Sequence, residues 1–146
     1  MKEAGANGLA LPQVAVEVSS ELDVAHVIAA VTHFCADQGL PSLFAAHVAT
    51  AASELANNLW MHADRGGQVR LALQRQTGRV GVELSAEDDG PGIADVPQAL
   101  VEGYSTAGGM GCGLPGVQRL MDHFRIESAP GRGTRVVASK WLQPRR

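Results

Sequence analysis

Cysteine is scarce: Cys35 and Cys112 are the two in 146 residues, and they lie far apart in different contexts. That spacing argues against a disulfide framework and for a reducing compartment. Concentrated positive charge is missing too. Twelve basic and 15 acidic side chains are spread along the chain for a net charge of −3, so nothing builds the potential that a nucleic-acid groove needs, and DNA and RNA are poor partners. No apolar run approaches the roughly 20 residues of a membrane span, and Met1 to Ala10 lacks the charged-then-apolar profile of a signal peptide. Internal repeats and linkers are absent, and His26, His33, His47 and His123 show no paired spacing with Cys or acids of the kind a transition metal requires. These absences leave a cytoplasmic protein with no nucleic-acid and no membrane partner as the expectation.

What is present suits one domain. At 146 residues and 45% hydrophobic, the chain can bury a core without metal or crosslinks. Residues 1–11 are small and Gly/Ala-rich and read as a flexible terminus, which leaves 12–146 as a single domain. Gln13 to Val18 alternates at period two and predicts a strand, with Ser19-Ser20 placed to cap a following helix. Val24, Val27, Ile28, Val31 and Phe34 give that helix its apolar stripe, and Gln38-Gly39 closes it. A second helix is predicted from Ser42 to about Ala63. Phe44, Val48, Ala51, Leu55 and Leu59 are its core stripe; Thr50, Glu54, Asn58 and His62 stack beside them at i+4, a polar row suited to lining a cleft.

Two alternating strands follow, carrying Val69, Leu71 and Leu73, then Val80, Val82 and Leu84, joined as a hairpin through Gln76-Thr77-Gly78. From Asp88 to Gly116 the composition changes abruptly, with eight glycines in 29 residues, a segment built for backbone approach rather than packing. Leu114 to His123 reads as a helix with Val117, Leu120 and Met121 inward. Strands Phe124 to Ser128 and Thr134 to Trp141 close the chain around Pro130-Gly131-Arg132-Gly133. Neighbouring strands without crossover helices predict an α+β two-layer sandwich: a mixed, mostly antiparallel sheet covered on one face by about three helices.

Four short segments occur in order: Glu54-Leu55-Ala56-Asn57-Asn58 with His62, Asp88-Asp89-Gly90-Pro91-Gly92-Ile93, Gly109-Met110-Gly111-Cys112-Gly113-Leu114, and Gly131-Arg132-Gly133-Thr134. Together, on the predicted helix, strand end, loop and hairpin, they resemble the nucleotide site of the GHKL superfamily of ATP-binding domains over about residues 13 to 141. Within it, Glu102-Gly103-Tyr104-Ser105-Thr106 through Gly113-Leu114-Pro115-Gly116 to Asp122 looks like the lid and following helix of the RsbT-type switch serine/threonine kinases, and Gly131-Arg132-Gly133-Thr134 and Lys140-Trp141 fit the same group. The resemblance implies ATP and Mg2+ as cofactors.

Each position also has a physical reading. Asp88 ends an apolar strand, and an acceptor fixed there can take the exocyclic amine of adenine, the role the resemblance gives it, whereas guanine would present a carbonyl and be repelled. Gly90 and Gly92 remove side chains where the base lies close, and Ile93 offers apolar contact. Gly109, Gly111 and Gly113 run into a helix whose N–H groups face phosphate oxygens. Asn58 supplies a neutral oxygen to magnesium, which takes its other ligands from phosphates and water. Glu54, one turn away, is the candidate general base for a protein hydroxyl. The resemblance places Thr134 near the adenine and its ordered water. Asn57, about 100° round the helix, is assigned no role, and His62 a structural one. Asp89 stands where many histidine-kinase relatives have Asn.

One helix before Ser42 leaves no room for a phosphoacceptor hairpin, so a complete histidine kinase is not expected. The expected activity is transfer of the ATP γ-phosphate to a serine or threonine of a STAS-domain partner, an anti-sigma antagonist or stressosome-like scaffold. The alternative is a nucleotide-dependent binding switch that holds a sigma factor or activates a PP2C-type phosphatase with little catalysis. Retention of Glu54, Asn58 and Asp88 favours the enzyme.

Overall fold

Period-two alternation makes a sheet with one apolar face, and that face has to be covered. The computed structural model describes residues 11–63, 65–88, 113–128 and 133–143. Among these, five strands form one sheet: β1 (Gln13–Val18), β2 (Gly67–Gln76), β3 (Arg79–Asp88), β4 (His123–Ser128) and β5 (Thr134–Trp141). Their order is β1-β2-β3-β5-β4, and all four pairings are antiparallel. The register puts Val16, Val69, Ala86, Val136 and Ile126 in one cross-strand row, with Val14, Leu71, Leu84, Ala138 and Phe124 in the next. Both rows face the core.

Among the described residues three helices cover that face: α1 (Leu22–Asp37), α2 (Ser42–His62) and α3 (Gly113–Leu120). Val27, Val31, Phe34 and Cys35 from α1 and Phe44, Val48, Ala52, Leu55 and Leu59 from α2 fill the layer between helices and sheet. This is the expected α+β sandwich. Each fully buried Leu or Val side chain contributes about 1.5–3 kcal/mol, so the two long helices anchor the domain. Burial also pushes the Cys35 thiol above its ordinary pKa, which makes it inert filling. No helix among the described residues is long and apolar enough to cross a membrane.

Three local expectations are corrected. Ser19 and Ser20 do not cap α1 with their hydroxyls; instead their backbone N–H groups donate to Asp23 Oδ2 at 2.9 and 3.2 Å, so the first-turn carboxylate collects the entering chain. Ile28 is 41% exposed, on the edge of the α1 stripe rather than within it. The third helix ends at Leu120, and His123 opens β4 opposite Ser139. Asp122 donates its N–H to Ser139 O at 2.8 Å, so sheet pairing begins where the helical period would have continued.

Candidate active site

The polar row of α2 is not uniform. Thr50 is exposed and donates back to Ala46 O at 2.9 Å, and His62 is exposed at the helix end. Between them Glu54 is buried, only 4% exposed, and Asn58 is half-buried one turn further on. Asn57 serves the helix itself, because its Oδ1 accepts from Trp60 Nε1 at 2.9 Å, one turn along.

Glu54 meets the start of α3. Leu114 and Val117 of that helix enter the core, which brings the start of α3 down beside α2, and Gly113 N–H donates to Glu54 Oε1 at 3.1 Å. Gly113 has φ 54°, a left-handed conformation that glycine takes without penalty, and it turns the chain from the glycine-rich segment into the helix. Loss of water raises the Glu54 pKa above the ordinary glutamate value, and the Gly113 hydrogen bond lowers it in part. A carboxylate held at a helix N-terminus also meets the positive end of the helix dipole. The far end of α3 is matched by charge of the opposite sign, since Lys140 Nζ donates to Leu120 O at 2.9 Å.

The second half of the site lies at the strand ends. Asp88, last in β3, pairs with Thr134, first in β5, and Thr134 pairs on its other side with Ser128, last in β4. The three follow the core rows by two residues, so they occupy the helix-facing side where the apolar core stops. Ser128 Oγ lies 2.8 Å from Thr134 Oγ1 and donates to Gly133 O at 3.1 Å. Asp88, Ser128, Gly133 and Thr134 line a depression of about 380 Å³ together with the charged Glu87, Glu127 and Arg135. Gly67 makes room beside it: a Cβ there would overlap Glu87 O and would sit 2.8 Å from Leu59 Cδ2 and 3.1 Å from Asp88 Cβ. The C-terminal half of α2 and the end of β3 therefore meet across a glycine.

The structure thus joins Glu54 with Gly113, sets Asn58 one turn from Glu54, and pairs Asp88 with Thr134. Gly90, Gly92, Ile93, Gly109 and Gly111 lie outside the described residues, as does Asp89. Ser128 and Gly67 were not singled out by sequence. Both matter through cross-strand neighbours that are distant along the chain, and neither has a distinctive local pattern.

A sequence profile of the histidine kinase-like ATPase domain matches residues 17–140, nearly all of the sandwich. The chain belongs to that family. Among relatives of this ATPase-domain chain is serine/threonine-protein kinase RsbT of Bacillus subtilis, 38% identical over 131 residues, which span 90% of this chain and 98% of the relative. Anti-sigma F factor of Clostridium novyi is 33% identical over 101 residues, 66% of this chain and 70% of the relative. In three dimensions the domain resembles a Mycobacterium tuberculosis protein containing RsbU and RsbW domains, with TM-score 0.63 and 20% identity, covering 92% of this chain and 34% of that one. It also resembles the mycobacterial sensor histidine kinase MprB, with TM-score 0.52 and 17% identity, covering 93% of this chain and all of the other. The GHKL resemblance read from the four segments is the family found.

The family implies ATP with magnesium, and the described residues fit both. A helix N-terminus already collects an anionic oxygen, a neutral amide oxygen stands one turn from a buried carboxylate, and a carboxylate-threonine pair faces a depression at the sheet end. Phosphate, metal and an amino-bearing base each find a chemical counterpart in that set.

Proposed function

We propose that this domain transfers the γ-phosphate of Mg·ATP to a serine or threonine hydroxyl of a partner protein. The observation that carries the reading is Glu54: a carboxylate with raised proton affinity, oriented by the Gly113 N–H and one helical turn from Asn58. A general base works best when its pKa approaches the operating pH, and burial moves Glu54 that way. Glu54 would accept the proton of the attacking hydroxyl. Asn58 Oδ1 would hold magnesium alongside phosphate oxygens, with Gly109 and Gly111 directing N–H groups at the phosphates while the Gly113 N–H stays on Glu54. Asp88 would accept from the adenine amine, with Thr134 beside it and Gly90, Gly92 and Ile93 against the base. Bound Mg·ATP supplies the phosphoryl group and draws its developing charge onto the metal.

The partner follows from the RsbT-type resemblance, supported by a relative of that name that matches over nearly its whole length. It is a STAS-domain protein of an anti-sigma or stressosome-like system, met in the cytoplasm by residues 12–146 acting as one domain. A second reading is favoured by the anti-sigma F factor relatives. In it the domain is a nucleotide-dependent switch that holds a sigma factor or activates a PP2C-type phosphatase.

The test is transfer of labelled phosphate to a STAS-domain partner, measured beside nucleotide affinity. Glu54→Ala is expected to bind Mg·ATP within a few-fold of the parent while transfer falls by about 10²–10⁴. Asn58→Ala is expected to lower both. Undiminished transfer by Glu54→Ala removes the base assignment. No transfer by the parent, with tight partner binding, selects the switch.

A further inference from the structure

A charged side chain stands on the core-facing side of the sheet. Lys140 in β5 is the register partner of Val82, which pairs in turn with Leu73, and both of those are buried. A lysine so placed lays its stem against apolar neighbours and needs partners for its head. Lys140 is half-buried, and its Nζ reaches two helices at once. It donates to Leu120 O at 2.9 Å, at the end of α3, and lies 5.8 Å from the centre of the Phe44 ring, in the first turn of α2. Asp122 ties the same strand from just beyond α3, its Oδ2 accepting from Trp141 N–H at 2.7 Å.

Further along the same two helices lies the site. Gly113, first in α3, donates its N–H to Glu54 Oε1 at 3.1 Å. The two helices therefore lie antiparallel, tied at one place by Lys140 and at the other by Glu54 and Gly113, with Leu114 and Val117 in the core between the ties. Phe44 to Glu54 spans about 15 Å of α2 and Gly113 to Leu120 about 10 Å of α3, lengths over which a helix moves as one rod. A displacement of α3 at Leu120 is carried to Gly113. The Lys140 charge also meets the negative end of α3, while the Glu54 carboxylate meets the positive end.

We propose that Lys140 is a positioning residue for the phosphoryl-transfer site: by holding α2 and α3 together from β5, away from the chemistry, it seats the Gly113 N–H on the Glu54 carboxylate and so fixes the direction in which that carboxylate faces an incoming hydroxyl. The inference rests on the reading of Glu54 as the base and adds to it a residue on the sheet that touches neither nucleotide nor hydroxyl. Lys140 acts through α3 alone.

The experiment compares the full chain with Lys140→Met and Lys140→Arg. The first readout is the Gly113 amide proton in NMR spectra recorded without nucleotide, since a charge-assisted hydrogen bond holds such a proton downfield. In Lys140→Met the signal is expected to move toward its position in Glu54→Ala, where no carboxylate is left to accept. In Lys140→Arg, which keeps a cation for Leu120 O and the Phe44 ring, it is expected to return to the parent position. The second readout is phosphate transfer. Lys140→Met is expected to lower kcat about three- to tenfold, the worth of one hydrogen bond, with KM for Mg·ATP within about twofold of the parent. A merely structural lysine would lower the melting midpoint and leave the Gly113 signal where it was, and that result overturns the proposal. A signal displaced equally in Lys140→Arg, an unchanged kcat, or a loss carried by KM alone overturns it too. Should Lys140→Met unfold, Lys140→Gln is read against the same outcomes. A parent that transfers no phosphate overturns the kinase reading, and the Gly113 signal, which needs neither nucleotide nor partner, still decides whether Lys140 seats this contact.

Discussion

A carboxylate inside a protein is a cost that has to be offset, and Glu54 is offset by one backbone N–H. Because its folded pKa is raised, the native state binds this proton more tightly than the unfolded chain does. The stability that the neutral form contributes is fully present below the ordinary glutamate value and is lost as the pH rises through the folded pKa. Glu54→Gln keeps an oxygen for Gly113 and removes the charge. Its melting midpoint is expected to exceed that of the parent at pH 8, and the gap to close as the pH falls below the ordinary glutamate range. A parent that is as stable as Glu54→Gln at both pH values would mean that water reaches the carboxylate. A stabilised but inactive variant is the pattern of a residue kept for chemistry at the expense of the fold.

At the scale of elements, α3 is short for a helix whose first residue holds Glu54. Eight residues are too few for a helix to stand alone in water, so its ends and its buried face must hold it. Leu114 and Val117 supply the face, Glu54 meets the N-terminus, and Lys140 binds the last-turn carbonyl of Leu120 from the neighbouring strand. Asp122 then accepts from Trp141 N–H at 2.7 Å and ties the exit of α3 to the same strand. Lys140→Met keeps the stem and removes the donor. It is expected to cost about 1 kcal/mol, read as a midpoint lower by roughly 2–4 °C, and to raise hydrogen exchange at the Met121 amide, which bonds Val117 O. An unchanged midpoint would show that α3 is held by its apolar face alone. The apolar period of α1 and α2 and the alternation of β2 and β3 were legible because each repeats over several turns or pairs. The end of α3 was not, since the helical period runs on through Met121 while Asp122 and His123 are claimed by Ser139 across the sheet. Asp88 and Thr134 were readable from their places at strand ends. Ser128 and Gly67 acquire meaning only once the register sets them beside those two.

For the whole molecule, the site is divided between layers. Glu54, Asn58 and Gly113 belong to the helices; Asp88, Thr134 and Ser128 belong to the sheet, and the two layers approach each other beside the site where Leu59 and Asp88 both lie against Gly67. The outer face reaches the site only at its strand ends, where Arg135 lies between Glu87 at 3.3 Å and Glu127 at 3.7 Å in exposed pairs of small energetic weight at the rim of the depression. A ligand with its base at the strand ends and its phosphates at α3 would therefore bridge two layers that are otherwise joined by the core. Binding to the folded form alone adds about 2.7 kcal/mol at a ligand concentration 100-fold above the dissociation constant. For a domain of this size that is a midpoint rise of roughly 5–10 °C with Mg·ATP. Asp88→Asn removes the charged acceptor at one end of the bridge, a loss of about ten- to a hundredfold in affinity, so at the same nucleotide concentration its rise should fall to about half or less of the parent's. Differential scanning fluorimetry on the two proteins, each with and without Mg·ATP, measures this directly. A full rise in a folded Asp88→Asn would put the base somewhere other than the ends of β3 and β5, and would leave the helix side as the whole of the binding site.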